Sequence, residues 1–163
     1  MKLLESIEQV FRHLTAPSGH DLRRAVERLN LNPEEAAMYV TEPSHLPYGR
    51  RVLFQSEHVE VILIHLPAGH ETYIHDHGES IGCAYVLEGE LTNKQFWLDK
   101  EGYAHECGES VLRPNQFMFA PKGQIHQMCN YGKQRVVTLH AYTPAMKNTK
   151  VYYQYEQVLD YVI

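Results

Sequence analysis

From Tyr48 onward the chain is a succession of short β-branched and aromatic runs, RRVLFQ, VEVILIHL, IGCAYVL, QFWL, QFMFAP and RVVTLHAYTP. Gly, Pro or Asn breaks the pattern at intervals of roughly eight to twelve residues, a rhythm that predicts an antiparallel sandwich or barrel. The first forty residues have a different texture. Leu3, Leu4, Ile7, Val10, Phe11 and Leu14 recur at helical spacing, and Leu22, Ala25, Val26 and Leu29 do so again after Ser18, a helix-capping residue. In NPEEAAMYV, Asn32 can cap a third short helix, Pro33 suits its first position, and Glu35 stands where a capping box needs an acid. The linker at residues 41–47 is too short to isolate a second domain. A chain of 163 residues, 44% hydrophobic, has the bulk for one sizeable core. The expectation is therefore one domain over 1–163, with a helical cap at 1–45 and a β-barrel at 46–163.

Charge and cysteine usage narrow the partners. Fifteen basic against twenty acidic residues give a net charge of −5, which offers no cationic face for nucleic acid or an anionic membrane. The N-terminal stretch MKLLESIEQVFRHL carries Glu5 and Glu8 and lacks a small-residue cleavage site, and no run approaches eighteen apolar residues. A cytoplasmic, monomeric protein acting on a small molecule is expected. Cys83, Cys107 and Cys129 are an odd set with no CxxC pair, against both a disulfide framework and a thiolate zinc site. The abundant reactive residue is histidine, present eleven times.

If TYIHDHG is extended, His75 and His77 project to one face and Asp76 to the other. His126 follows a Pro-x-Gly loop that could enter a strand returning toward that pair, which would bring a third imidazole. Three neutral nitrogens form one face of an octahedron and leave positions open, an arrangement suited to catalysis. An HxH pair alone is common as a solvated turn. Here it comes with Gly69 ahead of it, Gly89 after it, and Pro121-x-Gly123-x-x-His126-x-x-x-Asn130 downstream. Together these resemble the two motifs of the cupin superfamily, whose fold is an antiparallel β-barrel. Two positions depart from that pattern: Gly82 stands where many cupins carry a glutamate ligand, and Asn115 where a glycine usually opens the second motif. Without the glutamate, a three-histidine site is favoured over a four-ligand one.

A narrower resemblance spans nearly the whole chain. A helical N-terminal segment, Tyr48-Gly49-Arg50, His75-Asp76-His77, His126 and Thr138-Leu139-His140-Ala141-Tyr142-Thr143-Pro144, in that order, are similar to the cysteine dioxygenase family. The resemblance implies a cupin barrel in which His75, His77 and His126 hold one non-haem Fe(2+) and the thiol of L-cysteine is oxidised to the sulfinate with O2. It implies that Arg50 forks onto the substrate carboxylate with help from the Tyr48 hydroxyl. It also makes Tyr142 a phenol donor beside the reacting groups, with His140 orienting that phenol and Thr138 holding the far nitrogen of His140.

The residues themselves bear on these roles. In VVTLHAYTP, Thr138, His140 and Tyr142 share one strand face, and buried polar groups need partners, so the row could also be a self-satisfied polar core. Arg50, Val52 and Phe54 share parity, which would draw Arg50 inward, while Arg51 has the opposite parity and is expected in solvent. His58, His65, His70 and His105 read as surface or strand-end residues, Cys107 and Cys129 as small apolar fillers, Trp97 and the Tyr-rich tail VYYQYEQVLDYV as packing, and Asp76 as structural. Some cysteine dioxygenases link a cysteine to the active-site tyrosine. That position is Gly82 here, and the adjacent Cys83 should point away from Tyr142, because one step along a strand reverses the side chain. The alternatives to cysteine oxidation are a dioxygenase for another thiol acid such as 3-mercaptopropionate, whose relatives carry glutamine at the position of Arg50, or a non-catalytic cupin that binds a metal or small ligand.

Overall fold

The computed structural model of the protein describes residues 2–162. Met1 and Ile163, the ends of the span expected to form one domain, lie outside the described residues. Three helices come first. α1 (Leu3–Phe11) buries Leu3, Ile7 and Phe11. α2 (Gly19–Arg28) starts at Ser18, whose hydroxyl accepts from the Asp21 N–H at 3.1 Å while the Asp21 carboxylate accepts from the Ser18 N–H at 2.9 Å. This capping box satisfies two donors that the helix leaves unpaired. α3 (Pro33–Ala37) begins at the expected proline, with the Asn32 side chain accepting from the Glu34 N–H. The expected box with Glu35 does not form. Glu35 instead accepts from the Leu3 N–H at 2.6 Å, because the first turn of α1 offers a closer orphan donor and the pairing ties the two helices together.

Ten strands follow: β1 (Gly49–Gln55), β2 (Glu60–Leu66), β3 (Ile74–His75), β4 (Ile81–Glu88), β5 (Leu91–Leu98), β6 (Ala104–Leu112), β7 (Phe117–Ala120), β8 (Ile125–Cys129), β9 (Val136–Thr143) and β10 (Val151–Tyr152). They form two antiparallel sheets, ordered β1-β2-β9-β4-β7 and β10-β3-β8-β5-β6. The fold is thus the expected mainly β, cupin-type architecture with an N-terminal helical cap. Two elements differ from expectation. β6, AHECGESVL, reads as polar because only Ala104 and Leu112 are buried along it. A fourth helix, α4 (Tyr155–Val162), occupies the Tyr-rich tail, its start closed by a hydrogen bond from the Gln154 N–H to the Gln157 side chain. No helix among the described residues is long and apolar enough to cross a membrane.

The first sheet is covered on both faces, so every residue of β2 and β9 is buried, the polar ones included. Val61, Leu63, Cys83, Val137, Leu139 and Ala141 pack against Ile7, Phe11, Leu22 and Val26 of the cap. The alternate residues Ile62, Ile64, Ala84, Val86 and Tyr142 face inward with Met118, Met128 and Leu112. Each fully buried aliphatic side chain contributes about 1.5–3 kcal/mol. The period-two alternation of β9 therefore delivers its polar row, Thr138, His140 and Tyr142, to the interior.

Several individual expectations are corrected by this packing. His65 has the parity of Leu63, so it is buried under the cap, where its Nδ1 lies 3.0 Å from the Thr41 carbonyl. Cys107 is exposed, since the bulged hairpin of β5 and β6 turns it outward, whereas Cys129 is buried as expected. Trp97 does not pack into the barrel; it is 52% exposed and stacks on His105 at 4.7 Å. On β1 a bulge between Val52 and Phe54 reverses the phase. Phe54 consequently joins the cap-side core and Val52 is exposed, so the three residues do not share a buried face. Asn115, in place of the glycine, has φ +71, a left-handed conformation that asparagine tolerates better than most side chains. Gly89 has φ +78, and a Cβ there would sit 2.4 Å from the Arg135 carbonyl oxygen.

Candidate metal centre

β3 is only two residues long, and it ends at His75. His75 is the antiparallel partner of His126 on β8, and His126 is also paired with Gln95 of β5. The turn at Pro121–Gln124, closed by the Gln124 N–H onto the Pro121 carbonyl, leads the chain into β8. His77 lies just past β3, yet its ring turns the same way as that of His75. The three ring centroids are 5.1, 4.7 and 4.8 Å apart, and one nitrogen from each ring falls within 4.8 Å of the others. Asp76 points away, as expected, and accepts from the Lys150 N–H, the Gly78 N–H and the Tyr152 hydroxyl. It locks the segment carrying two of the histidines to the C-terminal strand.

Hydrogen bonding sets the tautomers. His75 donates from Nδ1 to the Tyr73 carbonyl at 2.7 Å, and His126 donates from Nδ1 to the Asn93 side-chain oxygen at 2.7 Å. Both Nε2 atoms are left with free lone pairs. The Nε2 of His126 lies 3.1 Å from that of His77. Nitrogens each about 2.1 Å from a common ion and at right angles to one another would be about 3.0 Å apart, so this pair fits one metal. The Nδ1 of His77 has no hydrogen-bond partner among the described residues, and its ring packs against Tyr142 at 4.9 Å. Burial makes the charged form of each ring unfavourable: His77 is pushed down to about 3, His126 well below the usual range and His75 in the same direction. Three neutral nitrogen donors are therefore available at neutral pH.

The adjoining row on β9 is connected end to end. Thr138 Oγ1 lies 2.8 Å from His140 Nε2, and the Tyr142 hydroxyl lies 2.9 Å from His140 Nδ1. Burial holds His140 neutral, at about 3, and pushes the Tyr142 phenol up. A neutral imidazole has one N–H and one lone pair, so the row has two proton arrangements. In one, Tyr142 donates to His140; in the other it accepts and is free to donate into the cavity.

That cavity has a volume of about 440 Å³ and opens to the surface. Tyr48, Arg50, Glu60, His75, His77 and Tyr142 line it, with Ile62, Ile64 and Met128 as apolar wall. Arg50 thus faces inward as expected, and burial pushes the Tyr48 phenol up. Arg51 faces the cap side, with its guanidinium 5.1 Å from the Tyr39 ring centre. Gly82 is the β-partner of Tyr142, whereas Cys83 lies in the cap-side core with its thiol pushed up to about 11 by burial. Two site residues escaped the sequence reading. Asn93 lies in the half of β5 ahead of the apolar run QFWL, and Glu60 carries no motif; each acts on a residue distant in sequence.

Comparison with known proteins agrees with this geometry. The family model described as cysteine dioxygenase type I matches residues 2–155. Among solved structures, a protein from Klebsiella pneumoniae with a double-stranded β-helix domain is 20% identical, with a TM-score of 0.60 over 76% of this chain and 91% of its own. A protein from Thermus thermophilus is 24% identical, with a TM-score of 0.56 over 68% of this chain and 94% of its own. A recombinant oxalate oxidase solved with glycolate is 14% identical, with a TM-score of 0.55 over 68% of this chain and 58% of its own. These likenesses establish the double-stranded β-helix fold.

Proposed function

The chain belongs to the cysteine dioxygenase type I family, and from that membership we propose that it is a thiol dioxygenase converting L-cysteine to cysteine sulfinate with O2, both oxygen atoms ending on sulfur. His75, His77 and His126 hold Fe(2+) in this reading. The observation that carries it is the cluster of three neutral imidazoles, two of which, His75 and His77, line one cavity together with the Arg50 guanidinium and the Tyr142 phenol. When bound, ferrous iron supplies the redox chemistry that O2 needs, and with uncharged ligands it keeps its full charge and favours the thiolate form of the substrate.

The chain's own residues do the rest. Arg50 takes the substrate carboxylate through a guanidinium edge, and the protonated Tyr48 hydroxyl adds a donor. Fixing the carboxylate leaves the thiol little freedom and holds sulfur at the histidine end of the cavity, the proximity term of catalysis. Tyr142 stays a phenol because its anion would be buried, so it can donate a hydrogen bond toward the reacting sulfur and oxygen atoms. His140 and Thr138 keep that hydroxyl in place and can return its proton. Residues 1–163 are taken as one cupin domain, acting as a monomer. Three free thiols suit a reducing compartment such as the cytoplasm.

The test is O2 uptake and sulfinate formation after anaerobic Fe(II) loading, with cysteine, 3-mercaptopropionate and cysteamine in parallel. One sulfinate per O2, with cysteine preferred, is expected. Single alanine variants of His75, His77 and His126 should lose most bound iron and all sulfinate formation. Iron bound tightly with no thiol oxidised would leave a binding protein; preference for 3-mercaptopropionate would move the assignment to that thiol acid.

A further inference from the structure

Arg50 meets a carboxylate within its own chain. Its Nη2 donates to Oε1 of Glu60 at 2.7 Å, and the Glu60 side chain is 5% exposed against 30% for Arg50. The other oxygen, Oε2, accepts from the Met146 N–H at 3.1 Å. Glu60 opens β2 directly opposite Tyr142 of β9, and Met146 follows β9 on the segment that rims the cavity. One buried carboxylate therefore holds the guanidinium, which would otherwise swing on a flexible stem from an edge strand, and the rim of the cavity mouth. No other acceptor for the Arg50 guanidinium occurs among the described residues, so Nε, Nη1 and the second Nη2 hydrogen remain for a ligand in the cavity.

We infer that Glu60 is a positioning residue for the carboxylate clamp: it fixes the Arg50 guanidinium so that one donor edge faces the cavity, and it ties that clamp to the rim at Met146. The inference rests on the reading of Arg50 as the partner of a substrate carboxylate. Its chemical content is an arginine shared between a permanent internal carboxylate and a transient external one. Such sharing orients a planar fork well, because the bond to Glu60 removes the rotation that an isolated guanidinium would lose on binding.

Glu60→Gln isolates the effect. The amide keeps the size of the carboxylate but has one oxygen, so it can accept from Arg50 or from Met146, and at the other contact it sets donor against donor. The long arginine side chain is the partner free to move away. The measurement is the dissociation constant of L-cysteine and of cysteamine, which lacks the carboxylate, for the anaerobic Fe(II) protein, followed by KM and kcat in O2. Glu60→Gln should weaken cysteine on the order of tenfold, the loss expected of a loosened clamp, and leave cysteamine within twofold. Its effect on cysteine should fall on KM more than on kcat and should vanish in an Arg50→Ala background. Equal weakening of both thiols, or an effect that persists without Arg50, would overturn the inference in favour of a general structural role. A wild-type protein that binds cysteine no better than cysteamine overturns it as well. A protein that binds cysteine but does not oxidise it refutes the proposed reaction and leaves the Glu60 comparison intact.

Discussion

Asn93→Leu tests the metal centre without touching a ligand. Asn93 is 2% exposed, and its side-chain oxygen accepts the Nδ1–H of His126 at 2.7 Å. Leucine fills the same space and accepts nothing. Two outcomes are open to His126. It can keep its tautomer and bury an unpaired N–H, at about 1–3 kcal/mol. It can instead move the proton to Nε2, where the Nε2 of His77 waits at 3.1 Å as an acceptor. The second is cheaper, because it exchanges an orphaned donor for an N–H···N bond and removes the facing lone pairs. It also takes away the third metal donor. The expected result is a loss of about 10–100-fold in metal affinity, or about 1.4–2.7 kcal/mol, with a smaller change in the metal-free protein. At saturating metal the rise in Tm on binding should shrink by the same free energy, about 3–11 °C for a chain of this size. Chelator competition gives the affinity and calorimetry with and without metal gives the two Tm values. Asn93→Asp, which keeps an acceptor, should restore metal binding. An Asn93→Leu protein with affinity within twofold of wild type would refute the reasoning, since it would mean that the tautomer of His126 does not depend on Asn93.

Further outcomes follow from the same geometry. Arg50→Ala should weaken cysteine by about 2–4 kcal/mol with iron content unchanged, and should lower Tm because Glu60 is left buried and unpaired. Arg51→Ala, which removes a contact with Tyr39 outside the cavity, should leave cysteine kinetics unaltered; the opposite pattern would assign the clamp to the wrong arginine. Gly82→Ala places a Cβ 2.6 Å from Tyr142 Cε1 in a filled interior and should destabilise by about 1–3 kcal/mol in urea unfolding, whereas a neutral effect would mean that Tyr142 has room to retreat. Peptide mapping after many turnovers should find Cys83 alkylatable on denaturation and no Cys83–Tyr142 linkage, because Cys83 faces the cap; a linked peptide would contradict the register of β4. His140 titrates at about 3 when folded and near 6.5 when unfolded, so between these values the unfolded chain binds more protons. Stability is then full above pH 6.5 and falls as pH drops toward 3. Urea midpoints of metal-free protein between about pH 8 and 4.5 should show the fall, His140→Gln should reduce its slope, and a level midpoint would contradict the buried neutral ring.

What the chain encodes locally was legible in the sequence. The caps at Ser18 and Asn32, the period-two alternation of VVTLHAYTP, the divergence of Gly82 from Cys83 and the shared direction of His75 and His77 each depend on bonds or side-chain directions within a few residues. The sequence period alone specifies them. Other features depend on which strands lie side by side. Asn93 reaches His126 because β5 pairs with β8, and Glu60 reaches Arg50 because β2 folds back on β1. The bulge in β1 moves Phe54 to the cap, and the cap buries His65, although nothing in GRRVLFQ or EVILIHL marks either event. β6 forms from a polar stretch because its neighbour β5 supplies the backbone partners. Register and bulges are set by the sum of packing over two whole sheets, in which no single residue carries a readable preference. The candidate metal-binding histidines were thus visible in the sequence, and the side chains that hydrogen-bond to them and to the arginine became visible only when the sheets were closed.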